Sequence, residues 1–303
     1  MTHAITLDEA YSVCRAIAKR EAKNFYYAFI ALPTARKNAI CAIYAFMRHA
    51  DDLADDESLS REERRRLLDS WLNQWHGVCQ GGFTRDPVFV AVLDATERFA
   101  ISFDLLDELV AGTTMDLQQT PGNAPDTYAT FADLYKYCYL VASVVGLVCI
   151  RIFGYKDPAA EKLAEETGIA FQLTNILRDV AEDAERSRVY LPLEDLAAHH
   201  ISVEALLHRA SGTPPTADER ALLEGIANRA EGYYKSAKAL LPLIDRESRP
   251  ALWVLVSIYR ALLVRIRRTG YDVFSRRASV PLANKVAILS VGLARMTTVR
   301  IFG

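Results

Sequence analysis

The chain has little cysteine and little histidine, five and six residues in 303. Cys14, Cys41, Cys79, Cys138 and Cys149 are odd in number and form no CxxC pair, so a disulfide framework or a zinc site is not expected. They read as small core residues in a reducing compartment. Basic residues are not in excess, with 36 Lys and Arg against 38 Asp and Glu, so the cationic face that a nucleic-acid partner needs is missing. Neither GxGxxG nor a P-loop occurs. The longest apolar run, Leu140 to Ile150, is stopped by Arg151 before it could cross a bilayer. Asp8, Glu9, Arg15 and Lys19 come too early for a signal peptide. These absences predict a cytoplasmic protein.

What is present reads as helix throughout. Thr6 with Glu9, Ser60 with Glu63 and Thr216 with Glu219 have the spacing of capping boxes. Pro33 punctuates the first helices, and PGNAP, Pro121 to Pro125, separates two central regions. No alternating strand run, internal repeat or domain linker stands out. Hydrophobic content of 51% predicts a large core or an apolar cavity. The expectation is one all-α domain over residues 1–303, a helical bundle around a central apolar cavity.

Two acidic stretches carry the chemistry. In FQLTNILRDVAEDAERSRVYLP, Phe171 to Pro192, the residues Gln172, Asn175, Asp179 and Asp183 recur at three- and four-residue steps and share one helix face. Phe171, Leu173, Ile176, Leu177 and Val180 cover most of the remaining circumference, so the acidic stripe must face a cleft. In IYAFMRHADDLADDE, Tyr44, Arg48, Asp51 or Asp52, and Asp55 fall on a second such face. Taken alone, either run could be a solvated acidic helix end. Together, each set in an apolar helix beside an arginine, they point to a cation and diphosphate site. Carboxylates one turn apart repel and need a counter-charge. An oxygen-only donor set with no His or Cys suits a hard divalent cation such as Mg2+. Arg48 and Arg178 at the stripe edges suit bidentate phosphate binding.

At this point the chain resembles the squalene and phytoene synthase family of head-to-head prenyltransferases, from about Ala18 to Val286. The resemblance rests on NFYYAFIALP, YAFMRHADDLADD, YCYLVASVVG and QLTNILRDVAEDAERSRVYLP in that order. The last is the most specific. It implies the isoprenoid synthase fold, prenyl diphosphate substrates and Mg2+. It also implies metal-binding roles for Asp51, Asp55, Asn175, Asp179 and Asp183, with Tyr44, Arg48 and Arg178 on diphosphate and Gln172 near substrate. Phe25 and Phe29 fall in the family's first substrate-contacting helix, where Ala22 and Asn24 stand in place of the usual serines. Tyr137 matches a tyrosine placed near the reacting carbons, and Ser143 replaces a glycine. Arg188 and Tyr190 resemble a flap that closes over the site; Tyr259, Arg277 and Lys285 resemble further diphosphate-side positions. Asp52 and Asp56 rank lower as ligands, His49 reads as a bystander, and Asp116 is a further residue placed at the cavity.

The bulky NFYYAF run and the absence of a C-terminal anchor favour farnesyl diphosphate. Two copies would be condensed to presqualene diphosphate or a squalene-type C30 product. Phytoene synthesis from two geranylgeranyl diphosphates is the alternative. NADPH is expected only if squalene is the final product. A class I terpene cyclase and a non-enzymatic helical assembly protein of the same fold are the readings from other classes; the second predicts eroded aspartates, and all four are present. No obligate protein partner is evident. Greasy substrates are compatible with peripheral membrane association, which the composition itself does not indicate.

Overall fold

The computed structural model describes residues 5–115, 126–209 and 212–302, without the side chains of Lys23, Asn24, Tyr27 and residues 296–302. Asp116, PGNAP and the Asn24 side chain therefore lie outside the described residues. Helices α1 (Leu7–Glu21), α2 (Lys23–Ile30), α3 (Thr34–Ala54), α4 (Arg61–Cys79), α5 (Pro87–Phe99) and α6 (Phe103–Met115) form the first half. After the strand β1 (Asp126–Thr127), α7 (Phe131–Cys138) runs through a π-helical turn, Tyr139–Ser143, into α8 (Val144–Phe153). Next come α9 (Ala159–Glu185), β2 (Arg188–Val189), the short α10 (Leu193–Ala198) and α11 (Val203–Leu207). Helices α12 (Ala217–Leu240), α13 (Arg249–Arg268) and α14 (Leu282–Phe302) complete the bundle.

Local chemistry accounts for the helix starts. Thr6, Ser60 and Thr216 each accept from the backbone three residues on while Glu9, Glu63 and Glu219 reach back, so both halves of all three capping boxes form. Asp86 caps α5 ahead of Pro87, whose missing N–H is not needed in a first turn. Gly154 ends α8 at φ 78°, where a Cβ would lie 2.1 Å from Asp245 Oδ2. That close approach lets Arg36, at the start of α3, bind Phe153 O, Ser248 Oγ and Asp245 together.

Helix α9 is the spine. It packs along α12 and against α8 and the π-helical turn, while α3 lies against α1, α5 and α4 and also reaches α8. A Cβ on Gly168 would sit 2.6 Å from the Ser143 backbone, so only glycine lets α9 pass the π turn this closely. Within the first half, Phe46 packs on Trp71 and Trp75 with ring centroids 4.6 and 5.2 Å apart. All five cysteines are unpaired, and Cys14, Cys41 and Cys138 are buried.

Two features differ from the sequence reading. Asp126–Thr127 pairs in parallel with Arg188–Val189, a ladder too short to show alternation in sequence. The helical stretch Phe131–Phe153 has 23 residues and is long and apolar enough to cross a membrane by length and composition. It outlasts the run read from Leu140 because the tyrosines of α7 continue the helix. Leu134, Tyr137, Cys138, Val144, Val148 and Ile152 on it are buried within the protein.

Candidate active site

The alternation of exposure along α9 defines a cleft. Gln172, Asn175, Arg178, Asp179 and Asp183 are half-buried, whereas Phe171, Leu173, Thr174, Ile176, Leu177 and Val180 between them are buried. Helix α3 repeats the pattern: Tyr44, Arg48 and Asp51 are half-buried among buried Ala42, Ile43, Ala45, Phe46 and Ala50. Among the described residues no hydrogen bond or ion pair joins one stripe to the other.

Asp179 is the centre of the α9 stripe. Arg178 grips it with both fork nitrogens, Nε at 2.7 Å from Oδ1 and Nη2 on Oδ2. Arg277, 98 residues on, places Nε at 2.9 Å and Nη2 at 2.8 Å from the same Oδ1, and its Nε lies 3.4 Å from Glu182. Lys285 faces Arg178; burial, then that positive neighbour, pushes its amine below the usual lysine range. Tyr259 is buried beside Asn175 and Arg178, and burial pushes its phenol up. Two further basic side chains, Arg277 and Lys285, thus gather around Asp179 and Arg178.

The carboxylates at the other positions are poised differently. Asp183 is pushed up to about 7, first by burial and then by Asp179. In α3, burial and then Asp55 push Asp51 up to about 6. Thr113 Oγ1 lies 3.5 Å from Asp51 Oδ1. Asp55 caps α3 and is exposed, and Asp56 turns away to accept from Ser58. Arg48 binds Asp52 rather than Asp51, and its Nε is buried without a partner. His49 packs on Trp71 at 5.2 Å.

Aromatic rings close the apolar side. Tyr259 stacks on Phe171 with centroids 4.3 Å apart and meets Phe25 at 5.9 Å. Phe29 packs edge-on to Tyr44 at 6.2 Å. Tyr137 stacks on Tyr190 at 4.9 Å, with Tyr128 at 5.4 Å from Tyr137. The segment after α9 is held by the β1–β2 ladder, which puts Arg188 opposite Asp126. A small cleft there is lined by Ile176, Val180, Asp183, Arg188 and Tyr190. Sequence reasoning did not find Thr113, Tyr128 or Glu182 as site neighbours. Phe171 was read as core but is also a stacking partner.

The donor set fits a hard divalent cation. Asn175 Oδ1 is buried with no hydrogen-bond partner, while Nδ2 donates to Gln172 at 3.2 Å, which leaves an unused oxygen donor on this face. Burial first, and then a neighbouring carboxylate, raise the pKa values of Asp51 and Asp183, and a bound cation would offset both by favouring the ionised form. Among the described residues no three His, Cys, Asp or Glu side chains converge to hold a metal by themselves. Mg2+ suits such an incomplete set, since it retains water and takes phosphate oxygens.

The chain belongs to the squalene/phytoene synthase family, whose model matches residues 18–284. It is 35% identical to the 15-cis-phytoene synthase of Synechococcus elongatus, over 96% of this chain and 95% of that one. Identity to the phytoene synthase of Mycobacterium tuberculosis is 33%, over 96% and 93%. The fold superimposes on a dehydrosqualene synthase crystal structure with a TM-score of 0.83 and 30% identity, covering 96% and 98%. A squalene synthase from Alicyclobacillus acidocaldarius shares the fold, with a TM-score of 0.78, 24% identity and coverage of 89% and 98%. The protein is a prenyltransferase that condenses prenyl diphosphates head to head, an activity for which the family depends on divalent metal. That sets aside the terpene cyclase and the non-enzymatic assembly protein.

Proposed function

We propose that the whole chain acts as one domain that joins two farnesyl diphosphates to presqualene diphosphate and onward to a C30 product. The observation that carries the choice of C15 is the Phe29–Tyr44 pair, 6.2 Å apart. Tyr44 lies seven residues before Asp51, about 10 Å along the helix axis. Tyr44 thereby moves from the diphosphate contact that the resemblance implies to the wall of the prenyl-tail space, which its ring and that of Phe29 would shorten. Phytoene synthesis from C20 substrates is the second reading, favoured by the 33–35% identity to phytoene synthases over most of each chain.

Asp51, Asp55, Asn175, Asp179 and Asp183 would hold Mg2+. A bound divalent cation supplies counter-charge to the diphosphate as its carbon–oxygen bond breaks. Arg48, Arg178, Arg277 and Lys285 bind and orient the diphosphate oxygens, and Gln172 lies toward the substrate end of the same face. Phe25, Phe171 and Tyr259 exclude water and offer ring faces to an allylic cation. The second substrate's double bond attacks that cation; loss of a proton closes the cyclopropane, and the released diphosphate or the Tyr137 phenol would take it. Arg188 and Tyr190 hold the segment that walls this end of the cleft. NADPH enters only if the product is squalene. Cytoplasmic residence, with peripheral contact to a membrane where the product is delivered, accompanies this reading.

Mass spectrometry of products from Mg2+ with farnesyl or geranylgeranyl diphosphate, with and without NADPH, tests it. A C30 product from farnesyl diphosphate that disappears in Asp51→Ala and Asp179→Ala is expected. Phytoene from the C20 substrate alone would select the second reading.

A further inference from the structure

We propose that Arg277 is a displaceable counter-ion for Asp179, held in place by the strap between α13 and α14 and released when a divalent cation and a diphosphate enter. The proposal rests on the reading of Asp179 as a cation ligand given above. Asp179 Oδ1 accepts N–H groups from Arg178 Nε at 2.7 Å and Arg277 Nε at 2.9 Å, and Arg277 Nη2 lies 2.8 Å from it as an ion-pair contact. Both lone pairs of Oδ1 are then taken, and Oδ2 already accepts from Arg178 Nη2, so a cation that ligates through Oδ1 requires one guanidinium to withdraw. Arg178 is fixed beside Asp179 on the same helix, and its side chain is 19% exposed. Arg277 is 51% exposed and stands on a segment that is not helical. Arg277 is the one able to leave.

The strap is anchored on both sides of Arg277. Ala278 and Val280 are buried beyond it, and Tyr271, Val273 and Phe274 before it. Arg209 covers the Phe274 ring, with its guanidinium carbon 3.7 Å from the centroid. Arg209 is itself locked: Nε and Nη2 reach Glu219 at 2.7 and 3.1 Å, Nη2 reaches Pro214 O at 2.8 Å, and Nη1 reaches Thr213 O at 3.0 Å. Glu219 is fixed in turn by capping α12. The Arg209–Phe274 contact therefore sets where the strap begins, and Arg277, three residues later, has short reach: Asp179 when the site holds no diphosphate, and a diphosphate oxygen when it does. Arg209 and Phe274 are positioning residues for this exchange.

Opposite effects on two ligands separate the exchange from simple damage. Free Mn2+ measured by electron paramagnetic resonance, without substrate, should show Arg277→Gln binding Mn2+ about two- to five-fold more tightly than the unaltered protein, the range for a half-exposed ion pair. Phe274→Leu keeps Arg277 but loosens its anchor, and should shift Mn2+ affinity in the same direction by less. Calorimetry with inorganic diphosphate in saturating Mg2+ should show Arg277→Gln binding diphosphate more weakly. Equal or weaker Mn2+ binding by Arg277→Gln, where the unaltered protein binds Mn2+, overturns the exchange and leaves the cation site standing. If neither protein binds Mn2+, the reading of Asp179 as a ligand fails and the exchange falls with it.

Discussion

Asp51 and Asp183 have folded pKa values of about 6 and about 7, raised by burial and then by a neighbouring carboxylate. In the unfolded chain both titrate near about 4. Between those values the folded protein keeps protons that the unfolded chain has lost. Their stabilising contribution is complete below the unfolded pKa and is lost as pH rises through about 6 and then about 7. The melting temperature of metal-free protein should therefore fall between about pH 5 and about pH 8, and Asp183→Asn should raise it at the upper end. Calorimetric scans at fixed ionic strength would show this. Mg2+ should oppose the trend, because it binds the ionised carboxylates.

Residue identities carried much of this stripe. The spacing of Gln172, Asn175, Asp179 and Asp183 put them on one face, because helical periodicity is a local property of sequence. Which arginine binds which carboxylate was not legible. Arg277 reaches Asp179 across 98 positions, and Arg48 chooses Asp52 over Asp51 by rotamer, neither of which leaves a periodic trace.

At the level of elements, α9 is committed to its neighbours by a single missing side chain. Gly168→Ala places a methyl 2.6 Å from the Ser143 backbone, where neither helix can yield cheaply. A loss of about 1–3 kcal/mol is expected from urea unfolding, the usual cost of overpacking. Phe29→Ala tests the α2–α3 pair in another way. It should increase turnover of geranylgeranyl diphosphate relative to farnesyl diphosphate by about ten-fold or more, within the range one large apolar contact can discriminate. Unchanged selectivity would remove Phe29 from the control of chain length. The all-helical character was readable from capping signals and period. The β1–β2 ladder and the Tyr128–Tyr137–Tyr190 stack were not, since they join segments about 60 residues apart through two residue pairs.

Across the whole molecule, Arg36 ties the start of α3 to the end of α8 and the turn before α13. Arg36→Ala leaves Asp245 and the Phe153 carbonyl without that donor. It should cost about 1.5–3 kcal/mol of global stability in denaturant unfolding, as lost hydrogen bonds to a charged group do. Product chemistry should be unaltered, because none of these groups touches the acidic stripes.

The π-helical turn at Tyr139–Ser143 carries one residue more than a regular helix would use between α7 and α8. The bulge absorbs that residue within one turn, so the two halves of one long rod keep the phase of a continuous helix. Removing a single residue there, for example Val141, would heal the rod into an ordinary helix with Tyr137 still against Tyr190. What would change is the widened turn itself, whose Ser143 backbone lies where Gly168 passes. A one-residue deletion would then loosen the seam between α8 and α9 without turning the tyrosine.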